Sequence, residues 1–385
     1  MTLPVDLASG FTGIAVAAQL GSIALAQAKQ RMIAKPVVPG TPKVTVLRPV
    51  CGLENNLAET LATTFDADYP DVEIIFCVAR PDDPAIPLLT QLIARHPGKP
   101  ARVLVGDDAV SGNPKLNNLV KGWRAATADW ILMADSNVLL PPDYIQRLFA
   151  EWSDGTGLVS SPPAGIRPEG FAARLECAFL NSLQGRWQLA SAHLDNAYAQ
   201  GKVLFWRRDV LDGAGGIAVL GREMAEDVAA TKLVRSRGLA VRLTRRLFAQ
   251  PVGRRSLRAV WDRQVRWAKV RRLGFLPLFL AEILLGSMLP LAAVLAVVLA
   301  GAVPWQTVPA LLVVWYGAEF LLARGSGWPA GAADVLAWIC RDALLVPLWV
   351  TAWFGNGFDW RGNAMTAGAP APGKPRKDGH DLVKS

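Results

Sequence analysis

Residues 130–137 read Trp130-Ile131-Leu132-Met133-Ala134-Asp135-Ser136-Asn137. Five uncharged residues stop on a carboxylate and two small polar side chains. So short an apolar run, with a turn signal at its end, reads as a strand buried on both faces. Three runs of the same kind stand upstream. They are Val44-Thr45-Val46-Leu47, ending at Arg48-Pro49; residues 72–78, ending Ile74-Ile75-Phe76-Cys77-Val78; and residues 102–105. Residues 55–65, 86–95 and 116–126 between them carry helical spacing. Strands alternating with helices predict an α/β fold with a mostly parallel sheet and helices on both faces. Ligands of such sheets bind beyond the carboxyl ends of the strands. Here those ends carry Arg48, residues 80–83, residues 106–115 and Asp135.

The pattern continues with helices over 143–152 and 171–183, and strands over 157–160 and 201–208. A Gly-Gly stop follows, then a helix over 225–237 that opens on Glu226-Asp227, and a strand over 239–243. Arg263-Gln264-Val265-Arg266-Trp267 comes next, followed by Lys269, Arg271 and Arg272. Beyond Arg272 the chain turns apolar.

Hydrophobic residues make up 51% of the 385, and they are unevenly spread. Residues 9–28 carry no charge, and a bilayer core needs about 20 such residues. Lys29, Arg31 and Lys35 follow at once. A signal peptide would carry its positive charges before the apolar part. This order instead predicts a signal anchor, with the next domain in the cytoplasm. Three apolar blocks lie at 273–303, 306–323 and 331–354. The first, broken by Pro277, Glu282 and Pro290, predicts an interfacial part and then a span near 284–303. The last contains Asp334, Arg341 and Asp342. A charge at mid-bilayer costs about 2.5–3.5 kcal/mol on insertion scales, so these three should pair or face protein or water. If one block is re-entrant, the basic tail is cytoplasmic. The expected organisation is an N-terminal anchor (1–35), a cytoplasmic domain (36–272) entered through a Pro/Gly linker, membrane or interfacial helices (273–360), and a disordered tail (361–385). The expected location is the inner cell membrane, multi-pass.

The net charge of +9 suits anionic partners. Nucleic acid is disfavoured, because no basic run interleaved with aromatics occurs outside the membrane border. Cys51, Cys77, Cys177 and Cys340 form no CxxC, which argues against a metal cluster or disulfide framework. Cys77 reads as a small buried hydrophobe, and His96, His193 and His380 as structural or solvent-facing.

Four features stand in order at strand ends or helix starts: Asp83 in Asp82-Asp83-Pro84, Asp135, Asp227, and Arg263–Trp267. Taken singly, an Asp at a strand end is usually a turn former or cap, and a basic-aromatic cluster before a membrane is usually a headgroup anchor. In this order they resemble the inverting glycosyltransferases of the family 2 type, with the nucleotide-sugar-binding (GT-A) fold. Within these they resemble the ceramide glucosyltransferases, which carry three aspartates followed by (Gln/Arg)-x-x-Arg-Trp. Asp82-Asp83-Pro84-Ala85-Ile86, Gly112-Asn113-Pro114-Lys115-Leu116-Asn117-Asn118-Leu119, Gly157-Leu158-Val159 and Gly170-Phe171-Ala172-Ala173 match as well. The eukaryotic enzymes carry His-Pro-Arg near Gln184-Gly185-Arg186. The His is absent here, which leaves the acceptor and the sugar open; the chain is read as a bacterial member of the family it resembles.

The resemblance implies UDP-glucose or a related UDP-sugar as donor and ceramide or another membrane lipid as acceptor. It places Asp83 on uracil or ribose and Asp135 on a divalent cation, Mg²⁺ or Mn²⁺, at the diphosphate. The usual Asp-x-Asp is here Asp135-Ser136-Asn137, so one carboxylate is missing. Asp227 is the expected general base, with burial or Glu226 raising its pKa. Arg263, Arg266 and Trp267 would hold the diphosphate and close the acceptor side. Lys115 would reach the nucleotide or its phosphates, with Asn118 shaping that loop. Two other readings compete: transfer of glucose or N-acetylglucosamine to another lipid such as a hopanoid, and a membrane-anchored binding protein that kept the fold without turnover.

Overall fold

A computed structural model of the chain describes residues 2–33, 40–355, 357–360 and 363–366. Most of the Pro/Gly linker and the tail from residue 367, with His380, lie outside the described residues.

An N-terminal helix, α1 (Thr2–Arg31), precedes the alternating region. There the order is β1 (Val44–Val50), α2 (Leu57–Ala62), β2 (Val72–Val78), α3 (Ile86–Arg95), β3 (Ala101–Val105), α4 (Pro114–Ala125), β4 (Trp130–Ala134), α5 (Tyr144–Phe149) and β5 (Thr156–Ser160). A strand that the sequence reading missed, β6 (Pro163–Glu169), leads into α6 (Phe171–Ala178), a π-helical stretch (Phe179–Gly185) and α7 (Arg186–His193). Next come β7 (Val203–Arg207), α8 (Arg208–Asp212), a 3₁₀ turn (Ile217–Arg222), α9 (Glu226–Ser236), β8 (Ala240–Leu243) and a second missed strand, β9 (Phe248–Arg254).

Seven strands form one sheet in the order β3-β2-β1-β4-β7-β5-β8. All run the same way except β7, which lies antiparallel between β4 and β5. Side chains alternate faces along each strand. Val46, Ile74 and Leu132 meet α2, α3 and α5 on one side. Leu47, Ile75 and Met133 meet α4 and α9 on the other. Gly122 lets α4 lie close, since a Cβ there would stand 2.5 Å from Cys77 Sγ. Burial pushes the Cys77 thiol up to about 12, as suits a small buried hydrophobe. His96 is structural, its Nδ1 2.8 Å from Leu92 O and its ring stacked on Phe65. The two missed strands pair in parallel as a small second sheet. Their Pro, Gly and charged residues give no apolar alternation to read.

Helices complete the chain: α10 (Leu257–Gly274), α11 (Leu276–Glu282), α12 (Met288–Leu299), α13 (Thr307–Ser326) and α14 (Ala332–Thr351). A hairpin of β10 (Gly357–Trp360) and β11 (Asn363–Thr366) follows. Residues 4–31 and α13 are long and apolar enough to cross a membrane. The span expected near 284–303 is realised as α12, whose 12 residues reach only about 18 Å at about 1.5 Å each. Large apolar side chains stand exposed along these helices, among them Ile14, Leu299, Val313 and Leu321, a surface that suits lipid better than water.

The charges in the last apolar block are paired. Asp334 accepts from Arg174 at 2.7 Å. Arg341, fully buried, reaches Glu319 at 2.5 Å and Asp342 at 2.7 Å, and it also donates to Ser182 in the π-helical stretch at 2.7 Å. The C-terminal helices are thereby tied to the helix that follows β6. Replacing Arg341 by Met leaves two buried carboxylates without their counter-charge. It should cost about 3–5 kcal/mol, seen as a lower unfolding midpoint of the detergent-solubilised protein. An unchanged midpoint would show the network to be energetically idle.

Candidate active site

The carboxyl end of β4 delivers Asp135, and the antiparallel β7 begins beside it. The ladder extends one step beyond the strands, with Asp135 N donating to Lys202 O at 2.9 Å. Lys202 Nζ thus falls 2.9 Å from Asp135 Oδ2 and 3.0 Å from Asn137 Oδ1. From the start of α4, Lys115 Nζ lies 2.6 Å from Asp135 Oδ1 and 2.6 Å from Glu226 Oε1. Asn113 caps α4 through its side-chain oxygen and donates to Glu226 Oε2 at 2.8 Å. Burial alone would raise the Asp135 carboxyl, but the two ammonium groups outweigh it and hold the acid at about 2. The side chain is therefore ionised at neutral pH.

Asp227 follows Glu226 in the first turn of α9. Its Oδ2 accepts from Gly201 N and its Oδ1 from Val228 N, both at 2.8 Å. Burial and the neighbouring Glu226 carboxylate raise its pKa to about 6, against the pull of those two N–H groups and of Lys115. Gly201 is needed here for space. A Cβ would stand 2.8 Å from Glu226 Oε1 and 3.4 Å from Asp227 Oδ2. Gly201→Ala should therefore shift the acidic pair and reduce turnover by about 10²-fold, the usual cost of a misplaced reacting group. Turnover within twofold of the parent would show that the pair tolerates the displacement.

The face opposite belongs to α10. Arg263 is engaged with the buried Glu176, whose other oxygen lies 3.5 Å from Arg255 Nε. Arg266 has no carboxylate within ion-pair distance among the described residues. Burial, with the charge of Arg263, pulls its guanidinium down to about 10. Trp267 packs on Ala173, Cys177, Leu180 and Val252.

These groups face one cavity of about 510 Å³, within the roughly 300–1,000 Å³ usual for ligand sites. Lys115, Asn118, Asp135, Asp227, Arg263, Arg266 and Trp267 all line it. Asp83 does not. Its carboxylate, just past β2, accepts from Gly52 N at 2.9 Å and from Ala85 N at 2.9 Å, and so fixes the loop after β1 at the rim. Asn118 faces the cavity while tying α4 to the end of β2, donating to Cys77 O at 2.8 Å and accepting from Lys121 at 2.5 Å. Arg48, which the sequence placed among ligand-facing strand ends, is instead fully buried. It donates to Thr60, Ser136 and Val138 carbonyls and so positions the loop after β4.

Sequence reasoning missed Lys202, Gly201 and the floor of the cavity. The last is supplied by Leu345, Leu348 and Trp349 of α14 and by Phe275 and Leu285, which flank α11. Lys202 carried no signal, because its role depends on the antiparallel placement of β7.

Among the described residues, no three His, Cys, Asp or Glu side chains gather into a metal cage. Asp135 and Asn137 still supply the oxygen donors a hard cation takes. Mg²⁺ commonly binds through one or two carboxylates and completes its shell from phosphate and water. Asp135, Glu226 and Asp227 also outnumber the two lysines among them, leaving the cluster short of positive charge. The residues therefore fit a divalent cation brought with a diphosphate.

The description "Glycosyl transferase family 21" matches residues 11–370, nearly the whole chain. The chain belongs to glycosyl transferase family 21. This family 21 protein is 26% identical to ceramide glucosyltransferase 3 of Caenorhabditis elegans over 353 residues, covering 89% of this chain and 77% of the relative. It is 27% identical to the ceramide glucosyltransferase of Komagataella phaffii, covering 85% and 82%. Its fold is similar to that of a solved mannosyltransferase from Pyrobaculum calidifontis in complex with GDP-Man and Mn²⁺. There the TM-score is 0.55 at 17% identity, with 90% of this chain and 99% of the other covered. The family 21 protein is a glycosyltransferase with a GT-A-type fold.

Proposed function

We propose that the protein moves a hexose, glucose, from a UDP-sugar to the primary hydroxyl of ceramide with inversion at the anomeric carbon. The observation that carries this reading is the composition of the cavity. One wall holds ionised carboxylates, lysines and Arg266, and the other is apolar and built from the helices beside the membrane candidates. Such a site takes a charged donor and a greasy acceptor together.

Asp227 accepts the proton of the acceptor hydroxyl as its oxygen attacks the anomeric carbon. The bond from that carbon to the diphosphate oxygen breaks, and the electron pair leaves with UDP. Arg266 receives the diphosphate with paired N–H donors, and Lys202 and Lys115 add positive charge beside it. Asp135 with Asn137 would hold Mg²⁺ or Mn²⁺, which when bound screens the charge of the departing diphosphate. Arg263, tied to Glu176, orients α10, and Trp267 offers a flat face to sugar or lipid. Asp83, at the rim, is assigned to the uracil or ribose.

The helices 4–31 and α13 are placed in the bilayer, with the sheet domain on the cytoplasmic side as the positive charges after residue 28 direct. The test supplies membranes from expressing cells with labelled UDP-glucose and with ceramide, diacylglycerol or a hopanoid in turn. Labelled glucosylceramide is expected. Product on diacylglycerol or hopanoid alone would remove ceramide as acceptor, and label from UDP-N-acetylglucosamine alone would remove glucose.

A further inference from the structure

Three buried polar atoms lining the cavity have no hydrogen-bond partner among the described residues: Gln264 Nε2, Gln188 Oε1 and Trp187 Nε1. Gln264 is 2% exposed and Gln188 6%. Buried polar groups in native proteins are nearly always satisfied, so three on one cavity wall point to a ligand that satisfies them.

Their orientation is built in. Gln184 Nε2 donates to Gln264 Oε1 at 3.0 Å, which turns the Gln264 N–H₂ away from its neighbour. Gln188, Tyr198 and Asp227 line the same cavity, and Tyr198 is close enough to both for each to bear on its hydroxyl. The row thus starts beside the proposed base. At its other end the same helix becomes apolar, with Phe179 and Leu183 packed in one cluster with Leu348 of α14. The sequence along this helix therefore grades from the reacting hydroxyl's side to the lipid chain's side.

The chemistry of the atoms selects a ligand. An indole N–H can only donate, so the ligand must present an acceptor oxygen there. The Gln188 oxygen needs a donor. A secondary amide offers both, one C=O and one N–H in a single rigid plane, whereas an ester offers acceptors only. We infer that Gln264, Gln188 and Trp187 form an amide-reading site that holds the N-acyl linkage of the lipid acceptor while its hydroxyl meets Asp227. This inference rests on the lipid-acceptor reading above and goes beyond it by naming the group that is recognised.

The test uses the purified full-length protein in detergent micelles with UDP-glucose. It compares a short-chain N-acyl amino alcohol with the isostere in which an ester replaces the amide. The wild type should prefer the amide by about tenfold or more in kcat/KM, the scale of one buried hydrogen bond lost with its partner stranded. In Gln264→Met and in Gln188→Leu the amide-to-ester ratio should fall toward one, chiefly through KM. A variant that merely folds poorly would lower both acceptors together and keep the ratio. Equal use of both lipids by the wild type, or a ratio unchanged in both variants, overturns the amide site and leaves lipid glycosylation standing. A wild type that binds UDP-glucose but glycosylates neither lipid overturns the functional reading, and the amide site with it.

Discussion

Asp227→Asn should lower turnover by about 10²–10⁴-fold, the usual contribution of a positioned general base, while UDP-sugar binding stays near the parent value. The amide keeps the size of the carboxyl and can still accept from Gly201 N, but it cannot take a proton. Binding should persist because the donor's charge is met elsewhere, by Arg266 and the lysines around Asp135. The parent protein should also show a rate that depends on this one ionisation. Burial and Glu226 raise Asp227 to about 6, and only the ionised form is a base. The kcat/KM should therefore climb as pH rises through about 6, level off above it, and lose that limb in Asp227→Asn. Near-parent turnover in the variant would remove Asp227 as the base.

Asp135→Asn should weaken cation-dependent donor binding by well over tenfold. Changes to groups merely behind a metal ligand already cost about 10–100-fold in affinity, and here the ligand itself loses its charge. Lys115 and Lys202 would each lose a carboxylate at 2.6 and 2.9 Å. Lys202, freed to meet phosphate directly, and Lys115, still paired with Glu226, should leave a residual binding that a chelator no longer affects. Titration of UDP-glucose with and without chelator reads both effects. Equal affinity in parent and variant, with the same chelator response, would contradict the assignment of Asp135 to the cation.

Much of the sheet was legible because its inner strands are buried on both faces. Val72–Val78 is buried throughout, and apart from Glu73 it is an uncharged run of strand length rich in β-branched and aromatic residues. The reversal of β7 was not legible. Nothing in Val203–Arg207 distinguishes a strand entering the sheet from the other end, yet that reversal brings Lys202 to Asp135. The pair β6 and β9 escaped for a different reason. Pro163–Glu169 and Phe248–Arg254 carry proline, glycine and arginine, and their pairing is decided by the surrounding helices.

The site residues split in the same way. Asp135, Asp227 and Arg266 stand at a strand end, in a helix's first turn and on a basic-aromatic helix, places that the local pattern marks. Asp83 was placed by motif alone, and its bonds to Gly52 and Ala85 put it at the rim. Gln188 and Gln264 carried no signal, since a glutamine within a helix is ordinary until its burial and missing partner are seen.

The proposal that Asp227 activates a lipid hydroxyl for a single displacement is tested most directly by the anomeric configuration of the lipid product. UDP-α-glucose and ceramide are incubated with the purified protein, and the glycolipid is examined by NMR. A β-linked glucose is expected, since one attack by the acceptor oxygen inverts the centre. An α-linked product would contradict it.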